Sequence, residues 1–120
     1  MKLKRVQELL NARILTTELD WEDVEVLTAC GADLMSDVLA FAKPKSLLLT
    51  GLVYPQVIRT CEILDIKAIV FVRGKIPPQT IIEMATQQKL PLLATSLPMY
   101  ESCGSLYKGG LGAKEIENYE

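Results

Sequence analysis

The apolar positions fall into two patterns along the chain. In one, apolar residues recur three and four apart, which predicts helices with a single buried stripe. In the other they run uninterrupted for four or five residues, the mark of strands buried on both faces. Val6, Leu9, Leu10 and Arg13 follow the helical spacing, so residues 4–12 read as a short helix, with Ile14, Leu15 and Thr16 as a brief strand behind it. A polar stretch holding Trp21 leads into residues 24–30, whose β-branched side chains predict a strand ended by Gly31. Asp33 is placed to cap a helix with Leu34, Met35, Val38, Leu39 and Phe41 on its apolar face, and Pro44 stops it.

From residue 46 the two patterns alternate. Ser46-Leu47-Leu48-Leu49-Thr50 closes at Gly51, and Pro55 suits the first turn of a helix burying Val57, Ile58, Cys61 and Leu64. Lys67 to Val72 is a second buried run, ending at Arg73-Gly74; Pro77-Pro78 precede a helix through Ile81, Ile82, Ala85 and Gln88. Leu92 to Thr95 is the third run, after which Ser96 is placed to cap a helix that takes Pro98 at its start and buries Met99, Cys103 and Leu106. Strand, helix, strand, helix in this order predicts an α/β fold. A single domain over residues 1–112 is expected, with a parallel sheet carrying helices on both faces and residues 113–120 as a polar tail.

Composition changes this picture mainly by exclusion. The chain has 120 residues, 49% hydrophobic and 23% charged, within the ordinary globular range. Thirteen basic against fifteen acidic side chains give a net charge of −2, which leaves no broad basic footprint for nucleic acid or an anionic membrane. Histidine is absent, removing the commonest general base and metal ligand together. Cys30, Cys61 and Cys103 match neither a zinc pair nor an even disulfide framework and read as small buried apolar residues. The basic N-terminus lacks the apolar core of a signal peptide, and no run reaches membrane-spanning length. A reduced, cytoplasmic protein is expected, with no catalytic residues, no metal and no cofactor.

Ligands of open parallel sheets gather at the carboxyl ends of the strands. Here those ends carry Thr50-Gly51, Arg73-Gly74 and Thr95-Ser96, a set offering hydroxyls, close backbone approach and one cation for an anionic small molecule. The same residues also serve as plain turn and cap positions. Asp33, Ser36 and Asp37 read as a cap and a dipole-matched first turn rather than as an acid–base pair. Gly109-Gly110-Leu111-Gly112-Ala113-Lys114-Glu115 misses the spacing of a phosphate loop, and Lys114 is followed by an acid. Trp21, Tyr54, Tyr100 and Tyr107 suit interface or half-buried positions, since no basic groove interleaves with them.

The segments Gly31-Ala32-Asp33-Leu34-Met35-Ser36-Asp37-Val38-Leu39-Ala40, Leu47-Leu48-Leu49-Thr50-Gly51, Ala68-Ile69-Val70-Phe71-Val72-Arg73-Gly74-Lys75-Ile76-Pro77 and Leu90-Pro91-Leu92-Leu93-Ala94-Thr95-Ser96 together resemble the DRTGG-domain family, in order and spacing, over residues 4–111. The resemblance implies a fold similar to the N-terminal domain of HPr kinase/phosphorylase. It also implies a module found alone or joined to CBS pairs and to phosphotransacetylase, regulatory and without catalysis of its own. The naming residues differ: Thr50-Gly51 stand where the family shows Asp-Arg, and Val72-Arg73-Gly74 where it shows Thr-Gly-Gly, so the final glycine alone matches. Two functional expectations follow. One is a homodimeric regulatory module acting on a metabolic enzyme or regulatory protein; the other is a sensor binding a nucleotide or other anion at the strand ends.

Overall fold

The computed structural model describes residues 1–112, and the expected polar tail, 113–120, lies outside them. Helix α1 (Leu3–Leu10) buries Leu3, Val6 and Leu10, and Asn11 closes it in the left-handed conformation at φ 47°, a position asparagine tolerates. Strand β1 (Arg13–Ile14) sits one residue earlier than the expected one. Beyond it the chain stays tied to its neighbour through Leu15 N–H on the Leu92 carbonyl (2.8 Å) and Leu92 N–H on the Thr16 hydroxyl (3.1 Å). Strand β2 (Thr28–Gly31) is shorter than the span of 24–30 suggests, because the residues before it bond elsewhere. Val24 accepts from Leu3 N–H, Val26 donates to the Met1 carbonyl, and Leu27 donates to that of Lys45.

Helix α2 (Met35–Phe41), strand β3 (Ser46–Thr50), helix α3 (Pro55–Leu64), strand β4 (Ala68–Phe71), helix α4 (Gln79–Gln87), strand β5 (Leu92–Ala94) and helix α5 (Met99–Lys108) complete the alternation. The five strands form one sheet in the order β1-β5-β4-β3-β2. Strands β2 to β5 are parallel, while β1 runs antiparallel to β5 with Ile14 opposite Leu93. The greasy runs are buried on both faces because alternate side chains enter different cores. Leu47, Leu49, Ala68, Val70 and Leu93 meet α1 and α5; Leu48, Ile69, Phe71 and Leu92 meet α2, α3 and α4.

Several helix expectations need correction. Leu34, not Asp33, is the N-cap of α2, and Pro98, not Ser96, that of α5; neither makes a side-chain cap bond. On α2 only Met35 and Val38 are buried, while Leu34, Leu39 and Phe41 are exposed, because this seven-residue helix packs one narrow stripe against the sheet and α3. Cys61 is buried, but Cys30 and Cys103 are half-buried. Gln88 is an exposed C-cap rather than a core residue.

Candidate functional site

The carboxyl end of the sheet is built by three turns. After β3, the Thr50 hydroxyl accepts from Leu52 N–H (3.2 Å); after β5, the Thr95 hydroxyl accepts from Leu97 N–H (3.2 Å). A threonine at a strand end thus folds the next two residues back over it. Between them, Arg73 and Gly74 both have positive φ, 60° and 70°. Arg73 N–H donates to the Leu97 carbonyl and Gly74 N–H to that of Thr95, each at 2.9 Å, so the β4 turn is tied to the β5 turn. Glycine meets this geometry freely, whereas arginine pays on the order of 1 kcal/mol for it.

The structure brings Thr50, Gly51 and Arg73 together through Asp33. Its Oδ1 accepts from Gly51 N–H (2.7 Å) and from the Thr50 hydroxyl (3.2 Å), and its Oδ2 faces the Arg73 guanidinium at 3.5 Å. Glycine at 51 lets the Arg73 guanidinium lie over the strand end; a Cβ there would push that side chain aside. Both ends of the ion pair are about half exposed, at 50% for Arg73 and 47% for Asp33. Such a pair contributes at most about 1 kcal/mol. Thr95 belongs to a separate part of the rim, because its hydroxyl donates to the Leu10 carbonyl at 2.7 Å. Gly74 and Ser96 are exposed beside it.

Asp33 is the site residue that sequence reasoning misplaces. An acid two residues before a helix looks like a cap, and only the register of β2 beside β3 sets it against Gly51 across the strand ends. Asp37 stays in the first turn of α2, so the expected cluster of Asp33, Ser36 and Asp37 is divided.

Other chemistry is sparse. Burial pushes the Cys61 thiol up to about 12, with Cys30 adding to the shift. Burial also raises Cys30, with Cys103 and Asp37 contributing, and raises Cys103. Raised thiols are poor nucleophiles at neutral pH. Among the described residues no group of three His, Cys, Asp or Glu side chains could hold a metal, and no helix is long and apolar enough to cross a membrane. A polar cleft of about 430 Å³ lies by α4 and the segment after β1, but Glu18 and Glu83 line it and disfavour anions there.

Beside the sheet's other end, β2 forms an edge. It pairs with β3 on one side and with no strand on the other among the described residues. Ala29 and Gly31 are exposed along it, and a groove of about 110 Å³ separates it from Cys103 and Tyr107 of α5. Exposed Leu27 and Leu34 adjoin it in sequence, and Tyr100 and Tyr107 stand exposed on α5.

No protein-family model and no curated protein matches the chain. Among solved structures it is similar to the CBS and DRTGG domains of the regulatory region of Clostridium perfringens pyrophosphatase, complexed with its activator, diadenosine tetraphosphate. The TM-score is 0.67 at 14% identity, over 88% of this chain and 45% of that one. The likeness supports a DRTGG-like α/β fold, and the chain spans less than half of that neighbour's length.

Proposed function

We propose that the chain is a non-catalytic regulatory module of the DRTGG kind, akin to the N-terminal domain of HPr kinase/phosphorylase, that works as a homodimer in cytoplasmic metabolic regulation. The observation that carries this reading is the β2 edge, which pairs with no strand on its outer side among the described residues. Leu27-Thr28-Ala29-Cys30-Gly31 holds no charge and no proline, so it lacks the devices by which exposed edges are kept from pairing. Two copies related by a two-fold axis can add antiparallel strands there without like charges meeting. The exposed side chains of Leu27, Leu34 and Tyr107 would be covered in the same step. The structural neighbour, a pyrophosphatase regulatory region, supports a regulatory role. Sedimentation velocity over a range of micromolar concentrations tests it: a dimer is expected, and a monomer throughout would refute it.

A second reading, the anion sensor at the strand ends, is favoured by Arg73. Its guanidinium carries five N–H donors, and among the described residues its one side-chain partner is Asp33 at 3.5 Å. A half-exposed arginine with most of its donors toward water, held across a strand-end glycine, suits a ligand that bears negative charge. The neighbour's activator, a dinucleotide polyphosphate, has that character. A melting shift with nucleotides that vanishes in Arg73→Ala is the expected outcome, since a ligand bound by the folded state alone raises stability. No shift with any nucleotide or acyl phosphate would remove this reading.

A further inference from the structure

We infer that the Asp33 carboxylate is a built-in occupant of an oxyanion cradle, and that a phosphoryl group displaces it. The proposal rests on the second reading above and names both its gate and its ligand chemistry. The cradle's donors come from two turns: Gly51 N–H and the Thr50 hydroxyl after β3, and the Arg73 guanidinium after β4. All three converge on one carboxylate that belongs to a different segment, between β2 and α2. A backbone N–H, a hydroxyl and a guanidinium around one point are the groups that bind phosphate oxygens at strand ends.

Asp33 fills the cradle unevenly. Its Oδ1 takes two donors, at 2.7 and 3.2 Å, while its Oδ2 reaches Arg73 at only 3.5 Å, longer than a charge-assisted hydrogen bond. A carboxylate has two oxygens for the three donor groups. A phosphoryl group has three, so it can satisfy Gly51, Thr50 and the fork of Arg73 together at normal lengths. With no side chain at Gly51, the Arg73 guanidinium lies directly over the strand end, where it can meet such a group beside the Gly51 amide. The side chain of Asp33, half exposed, can swing to solvent when replaced. Binding would therefore untie the Asp33 side chain, in the segment that joins the β2 edge to α2. In this way the strand-end site reaches the surface assigned above to self-association.

Two-dimensional amide NMR of the intact chain, titrated with pyrophosphate, tests the proposal. The Gly51 amide is expected to shift saturably. Asp33→Asn keeps an oxygen for Gly51 N–H but loses the competing charge, so it should tighten binding about fivefold, the usual limit for an exposed ion pair. Arg73→Gln should weaken it about tenfold or more, as loss of a charged donor does. Circular dichroism of both variants confirms that they fold. Binding that needs Arg73 but is equal in wild type and Asp33→Asn would overturn the role of Asp33 and spare the sensor reading. No Gly51 shift in either protein, or shifts confined to scattered lysines, would overturn both. Sedimentation of the same samples reports on the dimer separately.

Discussion

The two edges of the sheet are treated differently. Strand β1 ends one side with two residues, runs antiparallel to β5 and carries the exposed cation of Arg13. Strand β2 ends the other with four residues, parallel to β3 and without charge. Short length and edge charge are the ordinary means of blocking a stray strand, and they are present on one edge and missing on the other. The contrast marks the part of the surface where the proposed second copy would pair. It also predicts where substitutions will act on folding and where on association.

Packing beneath the two edges is alike, so its loss should be too. Leu48, opposite Cys30, and Leu93, opposite Ile14, are both fully buried. Leu48→Ala and Leu93→Ala should each cost about 2–5 kcal/mol in urea unfolding, through lost burial and a residual cavity. A much smaller cost at Leu48 would mean that β2 is loosely docked, and the comparison would fail.

Association should separate the edges where packing does not. Ala29→Lys places a charge on the open edge of each copy and should raise the dimer dissociation constant about a hundredfold or more. Its effect on the stability of the monomer should stay within about 0.5 kcal/mol, as for exposed substitutions generally. Unchanged sedimentation of this variant would move the interface elsewhere.

Alkaline pH probes the β2 side through Cys61. Its thiol rises from 9.0 to about 12 in the folded protein. Between those values the folded chain holds a proton that the unfolded chain has lost, so stability falls as pH rises, by up to about 1.4 kcal/mol per pH unit. Below pH 9 the contribution is fully present. Unfolding measured against pH should show this decline, shallower in Cys61→Ala; an identical slope would assign it to other groups. On the β1 edge, Arg13→Thr should change stability by no more than about 0.5 kcal/mol.

How much of this was legible beforehand depended on the kind of signal. The central strands were readable because burial on both faces leaves a local mark, three apolar runs closed by Gly51, Arg73-Gly74 and Thr95. Pro55 marked the start of α3 for an equally local reason, standing in its first turn. The antiparallel pairing of β1 left no such mark, since two residues carry no period and their direction is set by where α1 ends against β5. The apolar stripe of α2 is narrower than its spacing suggests: Leu34, Leu39 and Phe41 fit helical spacing, yet the helix buries only Met35 and Val38, against the sheet and α3. That Thr50, Gly51 and Arg73 come together follows from their places at the carboxyl ends of neighbouring parallel strands, a local reading. The part of Asp33 was not legible in this way, because its contacts span 17 to 40 residues and its local setting resembles a cap.

The central claim, that the β2 edge pairs with a second copy, is tested most directly by hydrogen exchange at its backbone amides. Exchange at residues 29–31 should slow as protein concentration rises through the association range, while the exposed amides around Thr17 and Glu18 stay unchanged. Equal exchange at residues 29–31 at all concentrations, in samples that sediment as dimers, would contradict it.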